Sequence, residues 1–176
     1  MKHTILVALL TLMLCMPIAL AQEDELPSAG ITPSSKLYFM DVVMDKIKVA
    51  MTRDPLEKAK LRIKIAEERV AEAEAESLKG NDYESMVAMA EHQKEMLGVE
   101  KEKEKMSEEQ IQFIEQKLSK HLEVLQKVKS RVPESAMSGI EHAINSSSKV
   151  IEHFREKIQN TVVKKVEVSA NIQNQS

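Results

Sequence analysis

The chain has 176 residues, of which 30% are charged, 43% hydrophobic and only 3% aromatic, with four Gly, five Pro, one Cys and no Trp. That length holds one domain or two small ones, and so few aromatic and glycine residues exclude a β-sandwich or barrel built on frequent turns. A formal charge of −3 lacks the basic excess of a nucleic-acid binder, while abundant Glu, Lys, Ala, Leu and Met point to long helices.

Residues 1–21 read as an export signal. Lys2 and His3 precede an almost unbroken apolar run from Thr4 to Pro17, and Ala19-Leu20-Ala21 supplies the small residues for cleavage between Ala21 and Gln22. A membrane anchor is the weaker reading, because the run is short for a span of ~20 residues and Pro17 interrupts it. Leu14 stands before Cys15 where a lipobox needs a small residue. Cleavage removes the only cysteine and Lys2, leaving 24 basic against 28 acidic side chains, a net charge of −4. The mature chain then has no disulfide, thiolate zinc site or cysteine nucleophile, and the expected location is secreted or extracytoplasmic.

Residues 22–35 read as an extended leader, since Pro27 and Pro33 disfavour helix in the residues before them. The first helix, 36–52, carries Leu37, Met40, Met44, Ile47 and Met51 in 3-4-3-4 steps, the spacing of a packed seam. Asp54-Pro55 caps and opens a second helix, 54–79. Its stripe is Ile63, Ala66, Val70 and Ala73, with Glu67, Glu68, Glu72, Glu74 and Glu76 mostly facing away. Gly80-Asn81 ends it, and the short turn predicts an antiparallel hairpin with a third helix, 82–99. The run Glu100–Lys105 pairs like charges at one-turn spacing, so a solvated hinge or frayed end is expected there. Ser107 to Gln110 forms a capping box for a helix over 107–131 with Ile111, Ile114, Leu118, Leu122 and Leu125 on one seam. Pro133 opens the last helix, 133–164, with Ile140, Ile144, Ile151 and Phe154 again on one face, and 165–176 reads as a disordered tail. The expected fold is all-α: an elongated helical bundle, or helical hairpins with coiled-coil-like seams, of about five helices after the signal. The 36–106 region forms one unit and the 107–164 hairpin another.

The segment Leu26–Asp41, LPSAGITPSSKLYFMD, resembles the opening box of an exported prokaryotic family known as domain of unknown function 5667. Ala66–Ala73 with Lys79-Gly80-Asn81, and Val132–Ala136 leading into Ile140–Ile144, are similar to its later helices. The resemblance covers roughly residues 26–155 and departs at Ser35-Lys36, where members tend to have Ser-Pro. It implies export and an all-helical fold, and brings no catalytic residue.

Chemistry is sparse. A di-iron bundle wants Glu-x-x-His, but Met89, Leu118, Gly139 and Val150 stand three residues before His92, His121, His142 and His153. His142 and His153 share a face yet lie ~16 Å apart, and solvent-facing histidines beside a seam are expected. Met86, Met89, His92 and Met96 are the weak candidates for a soft metal such as Cu(I), although methionine at helical spacing is more often adaptable core. Ser146-Ser147-Ser148 lacks the strained turn of a nucleophile, so no catalytic residue and no cofactor are assigned. Asn145 is a glycosylation candidate within its sequon, and Asn174 heads a second. Lys58, Lys60, Arg62 and Lys64, with the Met-rich first helix, admit a peripheral membrane contact, although Asp41 and Asp45 oppose deep insertion. The sequence therefore predicts a non-catalytic structural or protein-interaction module of the cell envelope or exterior, bound to protein partners or itself through its seams. The alternative is a copper-type or ligand-binding, chaperone-like helical module.

Overall fold

The structure, a computed structural model, describes residues 26–173. They form α1 (Tyr38–Met51), α2 (Pro55–Leu78), α3 (Asp82–Glu102), a 3₁₀ turn (Lys103–Lys105), α4 (Glu108–Lys129) and α5 (Glu134–Gln173), with no strand among the described residues. The signal segment with Ala21 and Gln22, the start of the leader, and the sequon at Asn174 lie outside the described residues.

Local chemistry sets the helix boundaries. Asp54 accepts a hydrogen bond from the Glu57 amide at 2.9 Å, and Pro55 takes the first helical position, where its missing N–H leaves nothing unsatisfied. Gly80 adopts φ +79°, a conformation costly for a residue with a Cβ, and turns the chain from α2 into α3. Ser107 and Gln110 cap α4 reciprocally, with Ser107 N–H donating to Gln110 Oε1 at 3.0 Å and Gln110 N–H to Ser107 Oγ at 3.4 Å.

The α2–α3 and α4–α5 hairpins pack against each other, α3 on α5 and α2 on α4, and close into one four-helix bundle. Two apolar clusters fill it. One gathers Ile63, Met96, Ile114, Leu118, Ile151 and Phe154; the other gathers Val70, Met89, Leu125, Val128 and Ile140. Ile111 belongs to the first, while Leu122 and Ile144 are half-buried at the margins of the first and second. The seam residues of α4 and α5 thus hold this chain's own bundle together.

The leader is tied in by Glu76, which is buried at the end of α2. It accepts from Ser34 Oγ at 2.8 Å, Asn81 Nδ2 at 2.6 Å and Lys79 Nζ at 3.1 Å. Burial opposes its charge, but hydrogen bonds from Thr32, Asn81, Ser34 and Lys79 outweigh that and hold its carboxyl down to about 2.

The structure departs from the periodicity in four places. The 3-4 stripe of α1 faces outward: Leu37, Met40, Met44, Ile47 and Met51 are all exposed, and Tyr38, Asp45 and Val49 are buried instead. Glu72 and Glu76, expected on the outer face of α2, are buried. The Glu100–Lys105 run is no frayed hinge, because three of its residues reach α5: Glu100 meets His153 Nδ1 at 2.5 Å, Glu104 meets Lys157 at 2.5 Å, and Lys103 lies 5.9 Å from the centre of the Phe154 ring, while Lys105 pairs with Glu102 within the run. Spacing within one helix could not reveal such cross-helix pairs. Finally, α5 runs to Gln173, past the helix end expected at 164. Leu118→Ala empties a fully buried site and is expected to lower unfolding free energy by about 2–5 kcal/mol, while Leu122→Ala, at the margin, costs less than half as much. Urea denaturation of both variants checks this, and equal losses would contradict the core described here.

Candidate functional site

Between the two apolar clusters each bundle helix places one polar residue: Glu67 on α2, His92 on α3, His121 on α4 and Ser147 on α5. His92, His121 and Ser147 are fully buried. The imidazoles stack with centroids 5.1 Å apart, and their Nε2 atoms stand 2.9 Å from one another. One Nε2 must donate and the other accept, so the two rings hold opposite neutral tautomers. Glu67 Oε1 lies 3.9 Å from His121 Nδ1, beyond hydrogen-bonding distance. Among the described residues His92 Nδ1, His121 Nδ1 and Ser147 Oγ have no hydrogen-bond partner.

Burial, with the neighbouring imidazole adding to it, pushes His92 well below the usual histidine range, and burial brings His121 to about 4. Burial also raises Glu67, against the attraction of Lys117. Both imidazoles are therefore neutral at physiological pH. This corrects the expectation of solvent-facing histidines for His92 and His121; His142 is exposed and His153 half-buried. Of the soft-metal candidates, Met89 and Met96 are buried one turn on either side of His92, whereas Met86 is exposed. Among the described residues no three His, Cys, Asp or Glu side chains are grouped to hold a metal ion. His121 was missed because spacing within α4 set it beside the seam, next to Leu122, and could not show that His92 faces it.

A second polar centre fastens α1 to the bundle. The Arg69 side chain is 1% exposed. Its Nη2 contacts Asp45 Oδ2 and lies 3.0 Å from Asp41 Oδ2, while its Nη1 donates to Glu72 Oε1 at 2.7 Å. The guanidinium also lies 5.3 Å from the centre of the Tyr38 ring. Three carboxylates face one cation. Burial pushes Glu72 up to about 7 against the pull of Arg69, so below about pH 7 the cluster sheds its excess negative charge by keeping a proton there.

This centre sets the roll of α1. Asp41 and Asp45 point toward Arg69, and the apolar stripe is turned to the opposite side, with Leu37, Phe39, Met40, Met44, Ile47 and Met51 between 45% and 75% exposed. Asn145 is exposed on α5. Among the described residues no helix is long and apolar enough to cross a membrane.

Folded Glu72 holds a proton that the unfolded chain releases at about 4.5. Its stabilising contribution is therefore full below about pH 4.5 and lost as pH rises to about 7, by roughly 3 kcal/mol at most. Between pH 5 and 8, wild type is expected to lose more stability in urea melts than Glu72→Gln, which has no proton to release. Parallel pH profiles would show that Glu72 ionises freely.

No curated protein and no solved structure is significantly similar to the chain. One family does match, described as Domain of unknown function (DUF5667), over residues 30–135. The match spans the end of the leader, α1 to α4 and the turn into α5, and residues 136–155 of the resemblance fall beyond it. With more than half of the chain matched, from the Gly30 box through the Arg69 and histidine centres, this protein belongs to the DUF5667 family.

Proposed function

We propose that this protein is a non-catalytic interaction module of the cell envelope or exterior, exported by its N-terminal segment, with α1 as its working surface. The observation that carries this reading is the uncovered apolar face of α1. A helix whose carboxylates are pinned inward exposes a contiguous run of large apolar side chains, and such patches on soluble folds mark contact sites. The α4 and α5 seams are consumed by the bundle core, which leaves α1 as the better surface for a partner. In the producing cell, envelope-associated protein is expected to begin at Gln22. Met44→Glu combined with Ile47→Glu should shift it from envelope to medium at least threefold with an unchanged melting temperature. A chain that keeps Met1 and stays in the cytoplasm would sink the reading.

The alternative, a soft-metal module, draws on one observation: His92 and His121 face each other with Met89 and Met96 one turn away on α3. Imidazole and thioether donors suit Cu(I). Titration with Cu(I) under a competing chelator is expected to give one site, lost in His92→Leu with His121→Leu. No binding beyond that of the double variant removes this alternative.

A further inference from the structure

Building on α1 as the working surface, we propose that α1 docks on an anionic lipid surface, lying along it with its apolar face down. At 100° per residue, Leu37, Met40, Met44, Ile47 and Met51 fall within an arc of roughly 80°, which Val43, Ala50 and Phe39 widen to roughly 160°. Just beyond the edges of that arc stand Lys48, next to Leu37, and Lys46, next to Phe39, both exposed. An apolar arc rimmed by lysines suits the bilayer interface, where the side chains sink among acyl chains and the ammonium groups rise to the headgroups.

The carboxylates that would oppose such docking are turned away. Asp41 and Asp45 are held by Arg69, and the neighbouring Glu68 is paired with Lys64 at 3.7 Å. The exposed charges on α1 and its flanks are Lys36, Lys46, Lys48 and Arg53, together with Asp54, whose side chain caps α2, Lys48 also reaching Asp45 at 2.8 Å. This basic border sits on a chain whose net charge is −3, so the attraction is local to this face and complementary to anionic headgroups.

A second copy of the chain fits the face less well. A 14-residue helix is ~21 Å long, and one face of it covers on the order of half the ~800 Å² per partner of a stable protein interface. A symmetric pair would also bring the lysine rims together.

The bundle lies within residues 26–173, so a protein beginning at Gln22 keeps every contact described above and removes the apolar segment that would itself bind lipid. The native chain has no Trp, and Phe39→Trp supplies a single reporter on the exposed face. With vesicles of equal phosphatidylglycerol and phosphatidylcholine, its emission is expected to shift to the blue and the protein to co-sediment. Binding should be at least tenfold weaker on pure phosphatidylcholine and should fall as salt is raised. Met44→Glu with Ile47→Glu should weaken binding at least tenfold with an unchanged melting temperature. Absence of binding to the mixed vesicles overturns the proposal, as does a dimer that the same double variant dissociates. If envelope association in cells survives while vesicle binding fails, the lipid surface is wrong and a protein partner takes its place; failed export with intact vesicle binding counts against the envelope reading alone.

Discussion

One buried charge sets the outer shape of this molecule. A guanidinium removed from water loses several kcal/mol of solvation unless anions and hydrogen bonds replace it, and Arg69 is almost wholly buried on α2. Asp45 and Asp41 supply the anions, Glu72 adds a hydrogen-bond acceptor, and the Tyr38 ring covers the guanidinium. Two of those carboxylates and the ring come from the leading turns of α1, so the helix can lie against α2 with only one side inward. Its apolar stripe is then forced outward, and an electrostatic requirement near the core creates a hydrophobic surface.

The same logic, weaker in charge, operates at the waist of the bundle. His92, His121 and Ser147 interrupt the apolar packing between the two clusters, and a buried polar group without a partner costs about 1–3 kcal/mol. The hydrogen bond between the imidazoles recovers part of that cost only when α3 and α4 stand in this register. Sliding either helix by a turn would place Nε2 against carbon on both sides, so the layer discriminates between registers that the apolar clusters alone would tolerate. Cross-helix pairs at the ends add to this, Glu100 with His153 and Glu104 with Lys157 holding the end of α3 and the following turn to α5.

The helices themselves were legible because they depend on neighbours within a few residues. Asp54-Pro55, Gly80-Asn81, Ser107–Gln110 and Pro133 punctuate the chain at or near the observed boundaries. The α4 and α5 stripes fill the core as their spacing required, with Leu122 and Ile144 at its margin. The α1 stripe had equally regular spacing and failed, because hydrophobic periodicity assumes that apolar burial decides which side turns inward. Arg69 overrides it with a larger electrostatic term. Glu72 and Glu76 were misplaced for a related reason: a glutamate on a helix reads as solvated until a buried cation or a ring of donors is known to face it.

The sequence by itself determined an all-helical chain, its punctuation and the residues that could fill a core, since capping, turn chemistry and amphipathic spacing are local properties. Only the tertiary structure decided that the hairpins close into one bundle, that His92 meets His121, and that α1 shows its methionines to the outside. Those outcomes depend on pairs far apart in sequence, Asp45 with Arg69 and His92 with His121, whose energies arise only once packing has removed water from between them.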